Sequence, residues 1–301
     1  MLNFSHHVFY EVAKQLSFSK AAQQLFISQP AISKHIKTLE ENYQVTLFER
    51  MGHTIALTQQ GILLFNYLKK AIELERQLEF EITSFTSKKQ ARGSLTIGAS
   101  TTVALYVIPK VLSGFHQQFP DIQLQLMNRN SENILKALMD HEIDFGIIEG
   151  KNKLTAAKYK FFLTDEVIPV CSARSDLAKQ KKISIEELPG IPVALRERGS
   201  GTLAAVTVAL EKNGIKINDF HSRIILGGTE ALKNFLLDDT CIGFLPLRSV
   251  TKELKSGSLV RLQIPGLQIT REFHFVQRQG SENDKINNLF IKMAQQHYNK
   301  K

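Results

Sequence analysis

At 301 residues, 43% of them hydrophobic, the chain is long enough for two domains with cores of their own. Its formal net charge of +9 favours an anionic partner without choosing one, since surplus lysine also serves solubility. No run of about 18 apolar residues reads as a membrane span, and the first residues lack the basic start and apolar core of an export signal, so a cytoplasmic protein is expected.

Residues 1–58 have a helical pattern with short connections. Phe9, Val12, Ala13 and Leu16 recur at helical spacing, and Ser19 reads as the N-cap of a short helix ending at Leu25 and Phe26. After a break at Ile27, Ser28 offers a second N-cap, with Pro30 in the first turn, where its missing N–H is harmless. Ile32, Ile36 and Leu39 then share one face of a third helix. Ala21 and Ala22 are small enough for two helices to approach, and Leu25, Ile27, Ile32 and Ile36 supply inner faces. Gln29, Ser33, Lys34 and Lys37 face outwards, chemistry suited to base edges and phosphates in a major groove. Glu40 reads as a helix-face or capping carboxylate.

Residues 59–89 form one long helical pattern without proline. Leu64, Leu68, Ala71, Leu74 or Leu78, Ile82 and Phe85 make an apolar stripe that needs a partner: a second copy, or the protein's own body.

From about residue 90 strands and helices alternate. SLTIGAS, a helical TTVALYVIPKVLSGFHQQF, IQLQLMNR, SENILKALMDHE and IDFGIIEG give a βαβαβ order and a parallel sheet with helices on both faces. After YKFFLTDEVIPVCSA the pattern repeats through IPVALRE, GTLAAVTVALEKNG, HSRIILG, GTEALKNFLLDD and TCIGFLPL. Two lobes are expected, lobe I at about 90–163 and 270–301 and lobe II at about 164–269, crossing near Leu163–Thr164 around a cleft. REFHFVQR would return to the first lobe as a strand. Cys171 and Cys241 lie in apolar stretches and read as buried reduced thiols, with a redox switch as the alternative; no metal or cofactor site is expected.

Two strand-to-helix junctions could line the cleft. Ser100, Thr101 and Thr102 combine hydroxyls with a helix N-terminus, which favours an anion; ordinary capping is compatible with that. In RERGSGT, Arg196, Arg198, Ser200, Gly201 and Thr202 suit a carboxylate, phosphate or sulfate group. Asn130 and Thr229 are secondary candidates.

The run SFSKAAQQLFISQPAISKHIKTLEENYQVTLFER followed by LTQQG resembles the N-terminal signature of LysR-type transcriptional regulators. The matching elements are Ala21-Ala22, Leu25, Ser28-Gln29-Pro30-Ala31, Ser33, Ile36, Leu39-Glu40, Leu47-Phe48, Arg50, Leu57-Thr58 and Gly61. The resemblance implies a winged helix-turn-helix over 1–58, a linker and dimerisation helix over 59–89, and an effector domain over 90–301. That domain would be two Rossmann-like α/β lobes resembling a periplasmic solute-binding protein. Gln29, Pro30, Ser33, Lys34 and Lys37 would meet the major groove, and Arg50, His53 and Thr58 belong to the wing and its end. Effector contacts would fall at Ser100–Thr102. Implied partners are double-stranded DNA, a small anionic effector, a second copy in a homodimer or homotetramer, and RNA polymerase. Tyr43-Gln44 departs from the common Leu-Gly, His53 from a frequent arginine, and Gln60 from a small residue. No nucleophile elbow, zinc motif or nucleotide loop supports an enzyme. A solute-binding or ligand-sensing protein without a regulatory role would explain the lobes but not residues 1–89.

Overall fold

The computed structural model describes residues 2–52, 54–84, 91–150, 154–180 and 182–299. His53, Phe85 and the other expected linker positions 86–89 lie outside the described residues. The chain divides into two compact units, Met1–Thr86 and Ser87–Lys301.

In the first unit, α1 (Phe4–Gln15), α2 (Phe18–Leu25) and α3 (Gln29–Tyr43) precede a two-stranded wing and a long helix. Val8, Phe9, Val12, Ala21, Ile32 and Leu39 are almost fully buried and form its core. The N-cap of α2 is Ser17, not Ser19 as the sequence suggested. Ser17 is extended, and its hydroxyl accepts the Lys20 amide at 3.3 Å, so the helix starts two residues earlier. Ser28 caps α3 as expected, accepting from the Ala31 amide. The Glu40 carboxylate accepts the Leu47 amide at 2.7 Å and so ties α3 to the wing. Strands β1 (Phe48–Met51) and β2 (Thr54–Leu57) pair antiparallel, Arg50 opposite Ile55.

Gln44, where a glycine was missing, ends α3 in the left-handed region at φ 55°. A residue with a Cβ is penalised there, so Gln44→Gly is expected to stabilise this unit by about 1 kcal/mol. A higher denaturant midpoint with an unchanged slope would show it; an unchanged midpoint would contradict it.

Helix α4 (Gln59–Ser84) carries not one apolar stripe but two. Leu64 and Leu68 pack into the core of this unit. Leu63, Tyr67, Leu74, Leu78 and Ile82 stay exposed, at steps of four and seven along another face.

In the second unit, β3 (Gly93–Ser100), a π-helical turn (Val103–Val107), α5 (Pro109–Gln118), β4 (Ile122–Arg129), α6 (Ser131–Met139) and β5 (Phe145–Glu149) make the first lobe. A long strand β6 (Ala157–Ser172) leads through the short α7 (Leu177–Gln180) to the second lobe. There follow β7 (Val193–Arg196), α8 (Gly201–Glu211), β8 (Arg223–Leu226), α9 (Thr229–Asp238) and β9 (Ile242–Pro246). The short α10 (Thr251–Ser256) and β10 (Leu259–Arg261) complete that lobe, β11 (Ile269–Arg278) runs between the two lobes, and α11 (Lys285–Asn299) packs on the first, with Phe290 against Phe115 and Phe145.

The strands form one mixed sheet of nine, in the order β4-β3-β5-β11-β6-β9-β7-β8 with β10 on β6. The parallel sheet expected from the repeat exists only as a trio in each lobe, β4-β3-β5 and β8-β7-β9. Between them β6 and β11 run antiparallel to each other, β11 antiparallel to β5 and β6 antiparallel to β9. Strand β11 therefore does not simply return to the first lobe: Ile269–Phe273 pair with Val167–Leu163, and His274–Arg278 pair with Phe161–Ala157. The register slips by one residue at Phe162, a bulge that bends the strand where the lobes meet.

Alternation along the strands places apolar side chains on both faces. Val193 and Leu195 join a cluster with Val206 and Leu210 of α8, while Ala194 joins Leu232 and Leu236 of α9. Cys171 and Cys241 are both buried free thiols. Burial pushes Cys171 up to about 11, and burial with the nearby Asp239 pushes Cys241 up to about 12. Neither supplies thiolate at neutral pH.

Candidate functional site

Two sites follow, one in each unit. In the first, a groove of about 460 Å³ runs between the start of α2, the outer face of α3 and the wing. Ser17, Ser19, Gln29, Ser33, Arg50 and Gly52 are among its walls. Gln29, Pro30, Ser33, Lys34, Lys37 and Arg50 are all exposed, because the opposite face of α3 is spent on the core. Gln29 and Ser33 are one turn apart and line the same wall, with neutral groups that can donate and accept. Lys37 shares its charge with Glu41 at 3.7 Å. Thr58 was expected at the DNA face, but its hydroxyl donates to the Thr46 carbonyl at 2.8 Å and accepts the Gly61 amide at 3.0 Å, closing the start of α4.

In the second unit, β3, β5, β6 and β11 of the sheet and the first turns of α6 and α8 converge on a polar cluster whose three charged members, Glu149, Asp165 and Arg271, were not among the expected site residues. Its hub is Arg271 of β11, whose side chain is 2% exposed. Nη1 lies 2.8 Å from Glu149 Oε2, while Nη2 at 2.8 Å and Nε at 3.1 Å meet Asp165 Oδ2. The guanidinium also donates to Thr202 at 2.6 Å and to Thr102 at 3.1 Å. Arg248 donates to the other Asp165 oxygen at 2.9 Å. Two arginines face two buried carboxylates, so the cluster is close to neutral as it stands.

The expected residues divide among three settings. Thr102 and Thr202 meet on Arg271, and the Ser100 hydroxyl donates to Glu149 Oε1 at 3.3 Å. Thr101 is half-buried beside them. Asn130 caps α6, and its Nδ2 donates to the Arg198 carbonyl at 3.4 Å across the lobes. Ser200 caps α8, and Gly201 sits so close to Glu149 that a Cβ there would lie 2.3 Å from the glutamate Cβ. Arg196, expected to offer open positive charge, instead is buried: Nε and Nη2 bind the Glu197 carboxylate and Nη1 donates to Thr229 at 2.7 Å. Arg198 remains exposed on the wall of an open cleft of about 860 Å³ beside α8. That cleft is also lined by Ser131, Glu149, Ser200, Gly201 and Arg271, whereas Ser100, Thr101 and Thr102 lie outside its lining.

Burial works to raise the Glu197 carboxyl; the Arg196 guanidinium and the Gly228 amide overcome this and hold it below its ordinary value of 4.5. A depressed folded-state value gives stability that is full above the unfolded value and lost as pH falls through the folded one. Glu197→Gln is therefore expected to destabilise the protein at neutral pH, with a smaller gap from wild type at an acid pH well below the ordinary value of 4.5. Urea unfolding at both pH values checks this; an equal gap at both would contradict it.

The model for bacterial regulatory helix-turn-helix proteins of the lysR family matches residues 5–62, and the model for the LysR substrate binding domain matches residues 88–299. Among relatives, the chain is 28% identical to the HTH-type transcriptional regulator CysL of Bacillus subtilis over 290 residues, 96% of this chain and 95% of CysL. Full-length CbnR complexed with its target DNA has a similar fold, with a TM-score of 0.64 at 17% identity, covering 98% of this chain and 99% of that one. So does the CcmR regulatory domain of Synechocystis PCC6803 in complex with 2-PG, with a TM-score of 0.60 at 24% identity over 68% of this chain and 96% of that one. With a matching helix-turn-helix ahead of a matching effector-binding domain, the chain belongs to the LysR family of DNA-binding transcriptional regulators.

Proposed function

We propose that this regulator acts in the cytoplasm as a homodimer or homotetramer on an interrupted two-fold DNA site, and that a small anion bound between the lobes controls it. Gln29, Pro30, Ser33, Lys34 and Lys37 face the major groove, with Arg50 and His53 of the wing against the backbone or minor groove. Exposure of Gln29, Pro30, Ser33, Lys34, Lys37 and Arg50 carries the DNA reading. The exposed apolar stripe of α4 serves the pairing of copies, and Leu74→Glu is expected to shift the protein towards monomer in sedimentation.

Convergence of the α8 N-terminus, the Ser100–Thr102 junction and Arg271 carries the effector reading, because amides, hydroxyls and a guanidinium all favour negative charge. Asn130, Arg198, Ser200 and Gly201 border or brace the same region, while Thr229 stands apart with Arg196. The CcmR complex with 2-PG supports an anion of this class. The effector is bound and released without chemistry. Its preference for one closure of the cleft shifts the spacing of recognition helices and so the access of RNA polymerase to the promoter.

The test is a footprint on DNA upstream of the regulator's own gene, near physiological salt with competitor DNA, repeated over a panel of small organic and inorganic anions. A protected stretch with two-fold character whose extent changes with one anion is expected. Tight anion binding that leaves footprint and transcription unchanged would sink the sensing role.

A further inference from the structure

We infer that Glu149 is an internal occupant of the anion seat, and that the effector binds by displacing its carboxylate from Arg271; this rests on the anion-sensing reading above. The contacts around Arg271 are unevenly divided between two carboxylates. Asp165 alone engages Nε and Nη2 and so satisfies one edge of the guanidinium. Glu149 is a second carboxylate on the same cation, held at Nη1. Of the two, Glu149 borders the open cleft and Asp165 does not.

The Glu149 carboxylate occupies the place that an external anion would seek. Oε2 meets Arg271 at 2.8 Å, Oε1 accepts from the Ser100 hydroxyl, and the side chain lies against Gly201, the first residue of α8. Only glycine at 201 leaves room for it, since a Cβ there would lie 2.4 Å from Oε2. Its own backbone amide is fixed by Ser131 at the start of α6, so the strand end is anchored while the side chain can turn into the cleft. The rim beside it is closed by two cross-lobe contacts, Asn130 Nδ2 to the Arg198 carbonyl and the Glu132 amide to the Gly199 carbonyl, each 3.4 Å.

Two consequences follow for specificity. A neutral solute replaces the carboxylate poorly, because the buried Arg271 would then keep Asp165 as its one carboxylate and the cluster would be left with surplus positive charge. An anionic group can replace it, at the cost of moving Glu149 into solvent. Glu149 thereby sets both the charge requirement and the threshold concentration of the effector.

The test uses the full chain and inorganic phosphate as probe, titrated calorimetrically at ionic strength balanced with chloride. Glu149→Gln keeps the shape and removes the charge; Glu149→Ala also empties the space, and serves if the amide variant unfolds. Phosphate is expected to bind either folded variant at least about tenfold more tightly than wild type, with tightening lost when Arg271→Met is added. Unchanged or weaker phosphate binding in both variants would overturn the inference, even if an organic anion altered the wild-type footprint. Tighter binding in the variants with no anion altering that footprint would instead keep Glu149 as the occupant and discard the sensing role.

Discussion

Replacing Arg271 with alanine is expected to destabilise the C-terminal unit by about 3–5 kcal/mol, because it strands two carboxylates that are 4% and 2% exposed. For a unit of this size that is a fall of roughly 10 °C in Tm. Arg248 still reaches Asp165, but its own side chain is 38% exposed and its partner is Asp165 rather than Glu149. Lysine should not rescue the loss, since one ammonium cannot serve two carboxylates and two threonines in the geometry of a planar fork. Adding Asp165→Asn and Glu149→Gln to the alanine variant should recover much of it, because neutral amides no longer demand a cation. Calorimetric unfolding of the series separates the terms: a loss below about 1 kcal/mol for the single variant would mean that the cluster is hydrated rather than buried.

That hub was legible in principle. In ITREFHFVQR, period-two alternation puts Arg271 on the face of Ile269 and Phe273, so a strand buried on that side must bury a guanidinium. Glu149 ends the apolar run FGIIE and Asp165 interrupts FLTDEVIPV, the same signal twice more. A charge inside a core strand needs a partner, and three such charges in strands of one sheet are candidates for each other. What the sequence could not provide is that β11 inserts between β5 and β6, which alone brings residues 149, 165 and 271 together. The opposite error arose at Arg196, where positive charge beside a glycine-rich loop suggested a free cation and the adjacent Glu197 had already taken it. Local signals fared best where the contact is local. Ser28 and Pro30 start α3 as their chemistry dictates, whereas Ser17 and Ser19 are both competent caps, and only the chain direction after Leu16 chooses between them.

On the proposed DNA face, Ser33→Glu is expected to weaken operator binding about 100-fold, since a carboxylate on the exposed wall of the α3 groove would repel phosphates and take up the charge of Arg50 on the same groove. The helix itself should tolerate the change, because Ser33 is exposed while the neighbouring Ile32 and Ile36 hold the core. Circular dichroism would therefore be unchanged. Two companion variants give the loss its meaning. Gln29→Ala removes a neutral donor and acceptor, so it should cost about 1–3 kcal/mol on the operator and almost nothing on unrelated DNA. Lys34→Ala removes a charge outside the groove lining, so it should weaken both DNAs alike and reduce the salt slope by about 1. Equal losses on both DNAs for Gln29→Ala would move that residue from base reading to backbone positioning. Full affinity in Ser33→Glu would mean that α3 does not enter the groove at all, and the DNA face would have to be sought on the wing.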